Sequence, residues 1–554
     1  MATPFDLLEQ RRSEHWLICQ DSHHLYALIA DRLSQLCRWQ FPPRILLAER
    51  CPVHFLAGFL AACAADCPIF LCNPDWTDAE WQQVFAIAQP DLVWGEVKGK
   101  GKRQKAEVKG KGKRQKAEVK GKGKRQKAEV KGKGKRQKAE VKGKGKRQKA
   151  EEGSEQRMQP GETDMPAFSA IIPPSPTLDA SVVHPPIPDT GCICCPSPHH
   201  PIAHPPHHPS PILIPTGGSS GTIRFAVHTW DTLMASVQGF RQYFGVDRVH
   251  SCCVLPLYHV SGLMQVMRSF TSGGQLTIVP LRELLTCPID PRHFFLSLVP
   301  TQLQRLLDTP HPSIPSSPHP LSSFQTILLG GAPAWSDLLE RARQQRLRLA
   351  PTYGMTETAS QIATLKPEDF LRGKSGCGQV LPHARVVIRG ASGEVLGANQ
   401  TGTITIQSSS RSLGYFPNPI PHPPSPTSPY QTDDLGFLDS EGYLHIVGRN
   451  SDKIITGGEN VFPAEVEAAI RATGQVQDVC VVGVGDRRWG QAVTAVYVPL
   501  ETEICLETVR AGLTQCLCKF KHPKQWVAVE QLPRNAQGKI NRKQVTAIAE
   551  QLLN

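Results

Sequence analysis

Five unbroken copies of EVKGKGKRQKA run from Glu96 to Ala150, and no hydrophobic core can be threaded through them. Each copy sets one Val and one Ala against two Gly, four Lys and one Arg. An eleven-residue period suits a slightly right-handed supercoil only where apolar residues line a seam. This repeat supplies no such seam, so it reads as a disordered, solvated insertion over 96–151. Whatever folds must be assembled from the chain on either side.

The repeats also carry the charge. The chain totals +13, and five copies at +4 each contribute +20, which leaves −7 for the remainder. A mildly acidic globular part does not ask for a polyanion, so no specific nucleic-acid partner is expected. The repeats alone would bind polyanions non-specifically, with strong salt dependence. The 554 residues, 40% of them hydrophobic, suffice for one large and one small domain. The 17 cysteines follow no regular spacing and no secretory leader accompanies them, which points to a reducing, cytoplasmic compartment. The most apolar early stretch, Phe55 to Cys72, is broken by Asp66 and falls short of the ~20 residues a membrane span needs. It reads as a core helix running into a strand.

Residues 1–95 alternate amphipathic patterns such as LYALIADRLSQL with short apolar runs such as RILLAE and CPIFLCNP, the mark of α/β layering. The alternation resumes after a Pro/His-rich loop at 173–215 and continues to 448. We therefore expect one discontinuous large domain over 1–95 and 165–448, made of layered α/β sheets with a small β-barrel-like part. A small, mobile α+β domain over 449–554 follows, with strand candidates VCVVGVG and AVTAVYVP. Within the Pro/His-rich tract, Cys192 to Cys195 precede a His cluster, but the spacing matches no common zinc pattern and so much proline opposes a tight ion cage.

Four motifs carry chemistry. After an apolar run, Thr216, Gly217, Gly218, Ser219, Ser220 and Gly221 offer bare backbone N–H groups and hydroxyls, as a polyphosphate cradle requires. The loop lacks the G-K-[ST] ending of a P-loop, and such Gly/Ser runs taken alone are more often ordinary turns. Tyr353, Gly354, Thr356 and Glu357 are expected in a turn after a buried strand, with Glu357 able to hold a Mg²⁺ that bridges phosphate oxygens; Thr356 as a helix cap is the plain alternative. Asp434 could accept from both ribose hydroxyls and Arg449 could offer its fork to the same sugar or a phosphate. Lys539, beside a Gly near the end of the chain, could neutralise charge at a reacting α-phosphate, although a basic terminal helix would look similar.

In this order and spacing the four motifs resemble the adenylate-forming superfamily of acyl-CoA synthetases, adenylation domains and luciferases. That resemblance implies ATP, Mg²⁺ and coenzyme A as the small-molecule partners of a carboxylic acid. It assigns phosphate contacts to Thr216 through Gly221, adenine, α-phosphate and metal contacts to Tyr353, Thr356 and Glu357, the ribose to Asp434 and Arg449, and adenylation to Lys539. It also implies a small domain that pivots at Ser451 and brings Gly457, Gly458 and Glu459 to a pantetheine tunnel. Two departures stand out. The loop continues to Ile223 and Arg224 where the family has Pro-Lys, keeping the charge with altered geometry, and the usual Thr-Gly-Asp is Thr432, Asp433, Asp434.

LPLYHVSGLMQVMRSF, GGSSGTIRFAVHTW and GGENVFPAEVE look closest to the o-succinylbenzoate–CoA ligase branch, enzymes of menaquinone and phylloquinone synthesis. His259, Ser261 and Thr301 would then line the acyl site. That acid has a second carboxylate needing a cationic or donor partner, which the sequence does not identify. The alternatives are a ligase for another aryl or fatty acid, or a non-catalytic protein working through its basic repeats.

Overall fold

A computed structural model describes residues 3–19, 21–97, 210–216, 223–309, 319–417, 428–500, 504–534 and 539–553. All of them belong to one compact unit formed by Met1–Gly101 and Ala203–Asn554. The basic repeats beyond Val97 and the Cys192–Cys195 tract lie outside the described residues, as do Gly217, Gly218, Ser219, Ser220 and Gly221.

Two sheets form the layers of the large part. An eight-stranded sheet runs in the order Leu17–Ile18, Leu276–Ile278, His250–Cys253, Phe294–Leu298, Thr326–Leu329, Leu349–Met355, Ser360–Thr364, Gln379–Val380. It is parallel up to Leu349–Met355 and antiparallel beyond. A six-stranded sheet runs Tyr415–Phe416, Arg224–His228, Ile212–Thr216, Ile69–Leu71, Ile45–Ala48, Leu92–Gly95. The core between them includes residues of the helices Leu25–Leu36, Pro52–Ala64, Trp230–Phe244 and Val260–Ser272 together with inward side chains of both sheets. Helix Pro52–Ala64 buries Val53 and the whole run Phe55–Ala62 and exposes only His54, as suits a helix between two sheets.

The strand Ile212–Thr216 corrects the expected proline-rich loop over 173–215, whose last residues are strand. Only Ile212 and Leu213 pair with Ile69–Leu71, so Pro215 lies past the stretch that needs donors on both sides. A four-stranded antiparallel sheet of Ala384–Arg389, Gly402–Ser408, Tyr430–Leu438 and Leu444–Arg449 stands where the barrel-like part was expected. Arg449, taken as the first residue of the small domain, is instead the last rung of this ladder, opposite Asp434.

Beyond it, Val476–Asp486 and Gly490–Pro499 form a long antiparallel pair, joined by Gln525–Ala528 and by the hairpin Ile454–Thr456 and Glu459–Val461. Helices Pro463–Ala472 and Leu506–Cys516 cover one face and Arg542–Leu553 the other. Among the described residues, no helix is long and apolar enough to cross a membrane.

Candidate active site

In a parallel sheet the loops after the strands gather at the carboxyl edge. Here His250–Cys253 leads to His259 and the helix Val260–Ser272, Phe294–Leu298 leads to Thr301 in the helix Pro300–Asp308, and Leu349–Met355 leads to Thr356 and Glu357. Tyr353 and Gly354 sit within that last strand rather than in the turn, at a bulge where a Cβ on Gly354 would lie 1.9 Å from the Ser360 carbonyl oxygen. The turn itself is a single 3-10 turn, Thr356–Thr358. Thr358 rather than Thr356 ties it, its hydroxyl accepting from the Met355 N–H at 3.2 Å.

His228 holds this turn from the second sheet, a role that no motif marks. Its Nε2 lies 2.7 Å from the Thr356 carbonyl oxygen and its Nδ1 3.0 Å from the Thr232 hydroxyl. A carbonyl only accepts, so Nε2 carries the proton and Nδ1 accepts. Burial pushes the imidazole down to about 4, which keeps it neutral.

Glu357 accepts a 2.6 Å hydrogen bond from the Tyr415 hydroxyl, and Arg224 stacks over the Tyr415 ring at 5.9 Å. Tyr415 was also missed, because Tyr415–Phe416 is too short a strand to show any periodicity. Thr216 and Arg224 close a hairpin, the Thr216 hydroxyl donating to the Arg224 carbonyl at 3.3 Å. Asp434 is buried and takes two partners, the Tyr353 hydroxyl at 2.7 Å and Arg449 Nε at 3.1 Å. Burial, then the Asp434 charge, hold the Tyr353 phenol well above its ordinary range, so Tyr353 stays a donor.

Lys539 enters the same group from the far end of the chain. Burial first, then the Arg449 guanidinium, lower its pKa from the usual 10.5, while Glu357 and Asp434 oppose the shift. The residue keeps exposed surface; both hold for a side chain standing in an open cleft. Burial, and then Lys539, push His259 down to about 3. The lysine is thus within electrostatic reach of the carboxylates and of His259, which begins the helix Val260–Ser272, where Ser261 is exposed. Arg534 bridges Ile540, the residue after Lys539, and Arg542 reaches Val481, Glu467 and Asp452.

Other predicted residues lie apart. Gly457 and Gly458 form a two-residue hairpin tip with φ of +59° and +87°, a turn that glycine makes without strain. The tip is exposed and belongs to the C-terminal lobe, the Gly457 N–H donating to the Trp489 carbonyl at 2.8 Å. Ser451 is bound through its hydroxyl and N–H to Asp433, the very residue that departs from the family pattern. Thr301 occupies the carboxyl edge, on the first turn of its helix.

A carboxylate such as Glu357 suits a hard cation. Among the described residues no group of three or more His, Cys, Asp or Glu could cage a metal. Any Mg²⁺ held here would be completed by phosphate oxygens and water.

The geometry and the comparisons agree. The AMP-binding enzyme family matches residues 15–416 and the AMP-binding enzyme C-terminal domain matches 465–539. The chain belongs to this family. It is 35% identical over 337 residues to the 2-succinylbenzoate–CoA ligase of Listeria monocytogenes, spanning 59% of this chain and 67% of that one. The Enterococcus faecalis ligase of the same name is 32% identical over 330 residues, with the same coverage. Among solved structures, the Bacillus subtilis o-succinylbenzoate CoA synthetase in complex with its acyl-adenylate is similar at 30% identity and a TM-score of 0.53, over 60% of this chain and 68% of that one. An ATP-bound structure from Rhodopseudomonas palustris shares the fold over the full length of both chains, with a TM-score of 0.69 and 20% identity.

Proposed function

We propose that the chain is an AMP-forming acid–thiol ligase that converts 2-succinylbenzoate to 2-succinylbenzoyl-CoA through an acyl-adenylate, as in menaquinone and phylloquinone synthesis. The grouping of Tyr353, Asp434 and Arg449 by hydrogen bonds beside the Glu357 turn, with Lys539 and His259 within electrostatic reach, carries this reading. A carboxylate oxygen attacks the α-phosphorus of ATP, and the bond to the pyrophosphate oxygen breaks. The CoA sulfur then attacks the acyl carbon, losing its proton, and AMP leaves with the former carboxylate oxygen. Asp434 and Arg449 hold the ribose, Thr216 and Arg224 meet the phosphates, and Lys539 neutralises the charge that builds at the α-phosphoryl group. Mg²⁺ at Glu357 would supply further charge neutralisation on the phosphate oxygens.

For the acid's second carboxylate, Arg268 is the cation we assign. Arg268 is 3% exposed, and burial pulls its pKa down to about 9, so it stays charged at neutral pH. It shares one helix face with Ser261 and Gln265, at spacings of four and seven residues. Its Nη2 lies 3.3 Å from the Ser360 hydroxyl, beside the Glu357 turn, while its Nε has no partner among the described residues. A dicarboxylic substrate matches that surplus donor. The pivot of residues 449–554 at Ser451, the delivery of Gly457 and Gly458 to the pantetheine path, and a cytoplasmic setting belong to the same proposal.

Two measurements test it. Pyrophosphate released across a panel of acids should be greatest with 2-succinylbenzoate; no release with that acid, alongside release with another, sinks the substrate but not the class. Lys539→Ala should abolish adenylation yet retain thioester formation from supplied acyl-adenylate. Equal loss of both steps overturns the lysine's role.

A further inference from the structure

A second concentration of positive charge lies away from the cleft. Helix Val260–Ser272 begins at His259 and ends at Gly273, so its 13 residues separate the two ends by about 20 Å. At the Gly273 end lies a cavity of about 280 Å³ bordered by Arg11, Glu14, Arg241, Arg248, Thr271 and Gly273. Arg11 is 2% exposed, an extreme degree of burial for a guanidinium. Its Nη2 donates to the Gly274 carbonyl at 2.6 Å, and its Nε sits 2.9 Å from the Glu14 carboxylate. Nη1 has no partner among the described residues, and neither has the buried Nε of Arg241.

The direction of the surplus donors can be read from Gly273. A Cβ built there would lie 3.5 Å from Arg11 Nη1 and 3.8 Å from Arg248 Nε. Gly273 has φ of +77° and bears no side chain, so that point is space between two guanidinium groups. Helix capping explains Nη2, Glu14 offsets one charge, and the exposed Asp247, 3.7 Å from Arg241 Nη2, offsets part of another. None of these accounts for the buried Nη1 of Arg11 and Nε of Arg241, nor for placing Arg248 where it repels Arg11. Buried donors and paired cations of this kind are satisfied by an anion with several oxygens, which planar guanidinium groups bind in bidentate fashion.

We propose that Arg11, Arg241 and Arg248 form a second anion site, distinct from the nucleotide cleft, that takes a phosphate group. Its ligand class is a small phosphate or the phosphate of a soluble metabolite. The site sits at the end of the helix Val260–Ser272 opposite Ser261 and about a turn and a half from Arg268, so an occupant there bears on the acyl pocket through that helix.

Inorganic phosphate is the probe. Titrated calorimetrically into the full chain with the cleft filled by a non-hydrolysable ATP analogue and Mg²⁺, it should bind. Arg248→Gln, at an exposed position, should weaken binding by about tenfold or more while leaving phosphate-free pyrophosphate exchange unchanged. Arg241→Gln should do the same, and it decides the matter if the first variant does not fold. Failure of phosphate to bind the wild-type chain, or equal affinity in wild type and variants, overturns the proposal.

Discussion

One proton on His228 holds the turn bearing Thr356 and Glu357 to the second sheet. His228→Ala orphans the Thr356 carbonyl, which should cost about 1–3 kcal/mol in denaturant unfolding and raise KM for ATP. Its titration has a definite sign. Above pH 6.5 both states are neutral; below it the unfolded chain takes up a proton that the folded one refuses until about pH 4. Stability should fall with acid through that window, by roughly 3 kcal/mol for His228 alone. His383 and His259, lowered to about 4 and about 3, add in the same direction. Lys539 titrates on the other side: its pKa lies below 10.5, so kcat/KM for adenylation should drop at alkaline pH earlier than for an ordinary lysine, with thioester formation spared on that limb. Motif order let Lys539, Asp434 and Glu357 be singled out as candidates in the sequence. Their neighbours Tyr415, His228 and Arg268 were silent, because a partner supplied by another sheet or a buried helix face leaves no local spacing.

The Gly457–Gly458 hairpin illustrates an element that sequence does announce, since two successive residues at positive φ nearly demand glycine. Helices Leu25–Leu36 and Pro52–Ala64 were equally plain, from periodicity in the one and unbroken apolarity in the other. The end of the proline-rich tract was not, because Pro215 argues against a strand until its neighbours in the sheet are known. Less visible still is the anchor of the last helix. Arg542 donates to Val481 at 2.7 Å and to the buried Glu467 at 2.8 Å, and it begins the helix three residues after Lys539. Arg542→Ala strands Glu467 as a buried charge, so unfolding should become easier by about 3–5 kcal/mol. Adenylation should fall further than thioester formation in the same variant, since the lysine loop loses its footing. Arg542→Lys should restore little, lacking the fork.

At the scale of the molecule, the six-stranded sheet is built from both sides of the repeats: Leu92–Gly95 lies at one edge, and Ile212–Thr216 lies three strands further in. That separation is only about 14 Å. Deleting Glu96–Glu151 leaves some sixty residues to cover it, far more than the ~3.3 Å each can span would require. The excised chain should keep its ligase rate, and a large drop would give the repeats a part in catalysis. Composition alone separated this insertion from the acidic remainder; the meeting of distant motifs required the fold. The bond from Ser451 to Asp433 then has a consequence for the whole particle. Being exposed, it is worth about 1 kcal/mol at most, a catch weak enough to slip many times a second. A fluorescent pair bridging the two lobes should therefore read a blend of distances in the resting protein, narrowing to one when nucleotide arrives and broadening again in Asp433→Gly.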